Sequence, residues 1–194
     1  ADVAIEFTAP AMAFDNCLRA IERGIPVVSG TTGWTDRQPE LRARCEAGEG
    51  TVFWSSNFSI GVNLFLQINR RVAALMQVAP NYHLSMDETH HIHKLDAPSG
   101  TAITLAEAIL SERPELKGWE LTEEPHTGLL PITAHREGEV PGIHTVTYTS
   151  EVDRIVLTHE AFGRQGFALG AVLAAEFAHT HQGWLTMDDM LQLG

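Results

Sequence analysis

Val3-Ala4-Ile5-Glu6-Phe7, followed further on by Pro26-Val27-Val28-Ser29-Gly30-Thr31-Thr32-Gly33, decides the fold. Each stretch opens as a short β-rich run. Between them, residues 11–23 place Phe14, Cys17, Leu18 and Ile21 at helical spacing, and Gly24 stops that helix. A second helix is predicted over 36–47 and a third strand over 51–54. This β-α-β-α-β series predicts an α/β fold, a parallel sheet with helices on its faces and right-handed crossovers. Ligands of such sheets bind beyond the carboxyl ends of the strands. Two loops fall there, Gly30-Thr31-Thr32-Gly33 and Ser55-Ser56-Asn57-Phe58-Ser59. On spacing alone they read equally well as polar turns with hydroxyl caps.

From Gly61 the pattern changes. Val62, Phe65, Leu66, Ile68, Val72, Leu75 and Met76 mark a long helix ending before Pro80, and 82–88 alternates as a strand. A polar loop over 90–100 leads into a helix over 101–111. Residues 113–128 read as an irregular connection. Strands over 132–136, 143–149 and 154–159 follow, so the middle of the chain is an α+β segment dominated by antiparallel pairing. Helix returns over 167–180.

The 194 residues carry 13 Lys+Arg against 25 Asp+Glu, a formal charge of -12, which argues against a nucleic-acid partner. A hydrophobic share of 44% suits a chain with a sizeable core. The longest apolar run, 167–175, is about half the roughly 18 to 20 residues a membrane span needs, so no membrane partner is expected. Gly166, Gly170 and Ala174 in that run read as close helix packing. Cys17 and Cys45 lack C-x-x-C or zinc spacing and read as reduced, packed thiols of a cytoplasmic protein. The first residues have neither a basic n-region nor a small-residue cleavage site, and they read as a strand, not a signal peptide.

The densest polar constellation is Glu88-Thr89-His90-His91-Ile92-His93-Lys94-Leu95-Asp96-Ala97-Pro98-Ser99-Gly100-Thr101. Three imidazoles and an ammonium give an acidic chain one segment able to receive an anion. Histidine exchanges protons near neutral pH, and a lysine beside other cations becomes more acidic, so His90, His91 and Lys94 can supply general acid/base function. Ser99 or Thr101 can cap the helix that follows, and Gly100 lets a ligand approach backbone N–H groups at its positive end, where a carboxylate fits.

Two other chemistries compete for these residues. His90, His91 and His93 with Glu88 or Asp96 have the types of zinc ligands, as a metal-dependent hydrolase would need. No H-E-x-x-H is present, however, and adjacent His90 and His91 point in opposite directions in extended chain, so no metal is expected. Ser99 lies in P-S-G-T rather than G-x-S-x-G, which leaves little for a serine nucleophile.

The run from Glu88 to Ala102 resembles the E-x-H-H-x-x-K-x-D-A-P-S-G-T-A signature of the 4-hydroxy-tetrahydrodipicolinate reductase (dihydrodipicolinate reductase) family of lysine and diaminopimelate biosynthesis. Further similarity lies in Val28-Ser29-Gly30-Thr31-Thr32-Gly33, Ser56-Asn57-Phe58-Ser59-Ile60-Gly61-Val62-Asn63, Pro141-Gly142-Ile143-His144 and Gly166-Phe167-Ala168-Leu169-Gly170-Ala171. It therefore spans essentially the whole chain. The resemblance implies reduction of a cyclic, dicarboxylated dihydropyridine-type substrate with a hydride from NADH or NADPH. It implies His90 as proton donor/acceptor, Lys94 as proton donor, His91 as a substrate contact, and Gly100 and Thr101 as the carboxylate clamp. It implies cofactor contacts at Gly30, Thr31, Thr32, Ser55, Ser56, Asn57 and Phe58. Hydride addition to a conjugated imine leaves negative charge that must be protonated, which suits a proton donor beside a carboxylate clamp.

The family fold is a Rossmann-like nucleotide domain with an α+β domain whose mixed sheet builds a homotetramer. The domains expected are 1–58 completed by 165–194 for nucleotide, and 59–164 for substrate and tetramerisation. No G-x-x-G-x-x-G or G-x-G-x-x-G follows an initial strand here. The expectation is that the phosphate-binding turn precedes Ala1 and that the N-terminal part of the nucleotide fold is missing, which leaves open a noncatalytic dicarboxylate-binding fragment. Phe162-Gly163 before Arg164 departs from the polar residue usual in the family.

Overall fold

The computed structural model describes residues 1–193, which form two compact units, Ala1–Asn63 with the segment from Gln165 onward, and Leu64–Arg164. In the first unit, strands β1 (Ala4–Glu6), β2 (Val27–Ser29) and β3 (Thr51–Trp54) pair in parallel in that order, as the alternation predicts. Helices α1 (Pro10–Ile21) and α2 (Gln38–Glu46) connect them, the second preceded by a 3-10 turn over Thr35–Arg37. Proline in the first turn of α1 and α2 sits where its missing N–H has no helical partner to lose. After α1 the chain turns through Gly24 at φ 67°, a left-handed conformation open to glycine.

Strand alternation builds two cores. Val27 and Val52 face Phe14, Cys17, Ile21, Leu41 and Cys45 of α1 and α2, while Val28 and Phe53 face Ala171, Ala174 and Ala178 of α5 (Gln165–Thr180). A short strand over Gly183–Leu185 pairs in parallel with β3 and is followed by a helix over Met187–Leu191. That strand is not among those the sequence reading predicts.

The second unit opens within α3 (Ile60–Leu75), which leads through a 3-10 turn to β4 (His83–His90), and α4 (Gly100–Glu112) follows the polar loop. Strands β5 (Gly118–Leu121), β6 (Leu129–Arg136), β7 (Gly142–Thr149) and β8 (Arg154–Ala161) complete a sheet of order β5-β6-β4-β7-β8. One expectation changes here, since residues 113–128 contain β5. The sheet is mixed, with β4–β6 and β5–β6 parallel, while the longer ladders, β4–β7 and β7–β8, are antiparallel as expected. Met86, Leu130, Ile132, Val146 and Tyr148 pack against Phe65, Ala73, Leu105, Ala106 and Ile109 of the helices. Their alternate neighbours Thr145, Thr147, Val156 and Thr158 lie half-exposed or exposed on the other face. The last strand of the first unit and its helix become β9 and α6 in chain order. No helix of the described residues is long and apolar enough to cross a membrane.

Candidate active site

Strand β4 runs two residues past the predicted end, and that extension makes the site. With a period of two, Glu88 and His90 fall on the same face of β4 as Met86. The antiparallel register sets His144 of β7 opposite Glu88, and the parallel register sets Arg136 of β6 opposite His90. The Glu88 carboxylate is fully buried. It accepts the Ser99 backbone N–H at 3.0 Å on each oxygen and lies 3.3 Å from Arg136 Nη2, 3.5 Å from His90 Nδ1 and 3.8 Å from His144 Nε2. The His90 and His144 rings meet edge to face at 5.1 Å. Burial pushes His144 down to about 3, helped by the charges of His90, His159 and Lys94. Burial also lowers His90, against the opposing pull of Glu88. Both imidazoles are therefore neutral at pH 7.

Ser99 is the N-cap of α4, its Oγ accepting the Ala102 N–H at 3.2 Å while also lying 3.1 Å from His144 Nε2. The helix ladder starts with the Ile103 N–H on the Ser99 carbonyl. Of the first donors of α4, Ser99 N–H is taken by Glu88 and Ala102 N–H by the cap. Gly100 and Thr101 N–H remain, at the positive end of a thirteen-residue helix. Nothing lies within 4 Å of where a Gly100 Cβ would stand.

The intervening loop is tied down. Glu137 N–H donates to the His90 carbonyl at 2.8 Å, and Ile92 N–H to the Gly138 carbonyl at 3.1 Å. Lys94 Nζ lies 2.8 Å from Asp96 Oδ1, and that hydrogen bond holds the Asp96 carboxyl below its usual range. His91 is half-buried, its ring 5.9 Å from that of His93, with Nδ1 buried and unpartnered. The second unit thus brings His90, Lys94, Gly100 and Thr101 around one strand-to-helix corner, and His91 borders it.

Among the described residues, Glu88, His90 and His144 are the only set of His, Cys, Asp or Glu ligand atoms close enough for a metal ion. It is a different set from the His90, His91 and His93 cluster considered above. The Glu88 oxygens already face a guanidinium and a backbone N–H, which does not suit a cation. A cavity of this unit, about 1160 Å³, is bordered by Tyr82, Asp87, Arg113, His126 and Thr133 and by none of the predicted site residues.

In the first unit, Gly30, Thr31 and Thr32 follow β2 and Ser55, Ser56, Asn57 and Phe58 follow β3, at the carboxyl edge of the parallel sheet. Thr31 is buried and immobilised. Its Oγ1 donates to Glu6 Oε1 at 3.0 Å, and its carbonyl accepts the indole N–H groups of Trp34 at 2.6 Å and Trp54 at 3.2 Å. Ser55 and Asn57 close a turn on themselves, and Asn57 Oδ1 accepts the Ser59 N–H at 2.9 Å. Phe58 is buried between Phe7 and Phe53. Thr32 and Ser56 are exposed. That edge leaves the Thr32 and Ser56 hydroxyls free to hydrogen-bond a polar ligand.

Arg136 is not singled out from the sequence, and Glu88, Ser99 and His144 figure there only as a rejected metal ligand, a helix cap and part of a family-like stretch. The two-residue step to His90 marks Glu88. Arg136 and His144 arrive through strand register, which local sequence does not state.

Comparison with known proteins agrees with the resemblance. Residues 1–58 match the family model described as dihydrodipicolinate reductase, N-terminus, and residues 61–191 its C-terminus. The chain is 50% identical over 190 residues to a 4-hydroxy-tetrahydrodipicolinate reductase of Christiangramia forsetii, covering 98% of this chain and 79% of that protein. It is 38% identical over 200 residues to one of Archaeoglobus fulgidus, covering 99% and 76%. A dipicolinate-bound dihydrodipicolinate reductase from Paenisporosarcina sp. TG-14 superimposes with a TM-score of 0.78 at 25% identity, over 97% of this chain and 72% of that one.

Proposed function

Because the chain belongs to the dihydrodipicolinate reductase family and is an oxidoreductase that reduces 4-hydroxy-tetrahydrodipicolinate with NADH or NADPH, we propose that His90 and Lys94 manage the protons of that reduction. The nicotinamide, when bound, supplies the hydride. Gly100 and Thr101 N–H hold one substrate carboxylate, His91 contacts the same molecule, and neutral His90 exchanges a proton with the reduced ring. Lys94, steadied by Asp96, is the second donor.

One observation carries this reading. The capping arrangement of α4 leaves unpaired the two N–H groups, Gly100 and Thr101, that adjoin the His90–Lys94 loop. An anionic ring held there sits beside the loop that carries both proton donors. The dicarboxylic chemistry of dipicolinate, bound by the Paenisporosarcina relative, suits the same clamp.

The remaining parts of the reading are of the same kind. Residues 1–58 with 165–194 bind the nucleotide through Gly30, Thr31, Thr32 and the 55–58 loop, and 59–164 bind the substrate. The open sheet face bearing Thr145, Thr147, Val156 and Thr158 supports a homotetramer, and two free buried thiols suit the cytoplasm. Nicotinamide oxidation followed with freshly condensed substrate tests the assignment. His90→Gln and Lys94→Ala are expected to lower turnover by about 100-fold or more, and full turnover in both overturns it.

A further inference from the structure

Arg136 is placed where four acceptors converge. Its guanidinium donates to Glu88 Oε1 at 3.3 Å, to the Asp96 carbonyl at 2.6 Å, to the Lys94 carbonyl at 3.3 Å and to the His135 carbonyl at 2.7 Å. Its side chain is 22% exposed and that of Glu88 is 0% exposed. Glu88 in turn receives the Ser99 N–H that starts α4. One ion pair therefore joins the end of β4, the loop backbone at Lys94 and Asp96, and the N-cap of the helix that presents Gly100 and Thr101.

An ion pair so buried is weak as a source of stability, because desolvation offsets most of the attraction. Its contacts are instead directed at backbone groups whose neighbours carry the proton chemistry. We infer that Glu88 and Arg136 are positioning residues for the reduction, holding His90, Lys94 and the carboxylate clamp in one geometry. The inference rests on the roles given above to His90 and Lys94, and it adds two residues that do not touch the substrate.

The pair also sets the field at His90. The charged and titratable groups facing that imidazole are Glu88 on its own strand, His144 on β7, Arg136 on β6, and Lys94 and Asp96 in the loop. Glu88 and Asp96 favour the imidazolium, and Arg136 and Lys94 oppose it. Removing the two partners therefore moves His90 in opposite directions, an outcome that loss of packing alone does not produce.

The test compares Arg136→Met, Arg136→Lys and Glu88→Gln with His90→Gln and Lys94→Ala, measuring kcat, KM, the pH profile of kcat/KM and circular dichroism. Arg136→Met is expected to lower kcat by about 100-fold, as misplacement by about 1 Å does, with the cofactor KM nearly unchanged. Its His90-dependent limb moves to higher pH, and that of Glu88→Gln moves to lower pH. Arg136→Lys keeps the charge but not the fork of contacts, so its limb stays near wild type while kcat falls, and it carries the test if the other variants fail to fold. Wild-type kcat and profiles in all three variants, with His90→Gln and Lys94→Ala inactive, overturn the positioning role alone. Full turnover in those last two overturns the underlying assignment.

Discussion

The carbonyl oxygen of Phe58 lies 1.7 Å from the position a Cβ on Gly170 would occupy. Helix α5 is thus seated directly on the backbone of the segment that closes the 55–58 loop. Glycine inside a helix costs about 1 kcal/mol relative to alanine, so propensity alone favours Gly170→Ala. The overlap is with a backbone atom, which no rotamer change relieves, and overpacking of this kind costs about 1–3 kcal/mol. The net expectation is a destabilised first unit, read as a lower urea midpoint, together with weaker cofactor binding.

Glu6 ends β1 in a cage of donors. The Thr8 N–H at 2.9 Å, the Ser29 hydroxyl at 2.6 Å and the Thr31 hydroxyl at 3.0 Å all point at its carboxylate. Burial would raise Glu6, but these hydrogen bonds together hold it below the ordinary carboxylate value. Glu6→Gln turns an amide N–H₂ toward donors and leaves at least one of them unpaired, at about 1–3 kcal/mol. Thr31 loses its anchor, so the nicotinamide KM rises more than kcat falls. A wild-type cofactor KM in steady-state kinetics counts against the Thr31 loop as a cofactor contact.

Acid is expected to weaken the fold in two stages. His90, His144 and His159 are all lowered from 6.5, mainly by burial, His144 to about 3. Below pH 6.5 the unfolded chain binds protons that the folded chain refuses, so unfolding free energy falls as pH drops from 6.5 towards 3. Glu6, lowered from 4.5, adds its own loss as pH falls through its folded value. Urea midpoints measured from pH 7 to pH 4 check this, and a midpoint that rises on acidification contradicts it.

The elements were legible wherever apolar residues repeat over several turns or strand steps, as in α1, α3 and the Val27–Val28 and Val52–Phe53 alternations that feed two cores. What periodicity cannot show is pairing. Thr89 and His90 look like loop because they are polar, yet β6 and β7 hydrogen-bond on either side and carry the strand through them. Trp119 and Leu121 are too few to mark β5. His90, Lys94, Gly100 and Thr101 were readable because their chemistry is local, packed into one loop and one helix start. Arg136 and His144 lie far along the chain, and only strand register places them beside Glu88.

Gly142 shows how tightly that register is drawn. A Cβ there would stand 3.1 Å from His90 Nε2 and 3.4 Å from Cδ2. Gly142 also sits at φ 157°, which strains any L side chain, so Gly142→Ala both stresses the backbone and asks the imidazole to give by a few tenths of an ångström, with Glu88 and His144 on its other sides. Turnover is expected to fall by about tenfold, less than for a full 1 Å misplacement, with a lower urea midpoint from the strained backbone and the cofactor KM unchanged. Unchanged turnover means that His90 has slack in its reacting position.

Gly100→Pro isolates the clamp. Proline is favoured at the first helical position, where its fixed φ suits the helix. The preceding residue must be extended, and Ser99 is, at φ -66° and ψ 156°. The space where side-chain atoms begin is open. The substitution therefore deletes one backbone N–H and leaves the Ser99 cap and the Glu88 contact in place. If that N–H holds a substrate carboxylate, losing a hydrogen bond to a charged group costs about 1.5–3 kcal/mol. Substrate KM then rises by about 10-fold to 100-fold, and binding of dipicolinate, measured by calorimetry, weakens in parallel. A KM and a dipicolinate affinity both equal to wild type, in a variant with an intact helix signal, place the carboxylate somewhere other than the start of α4.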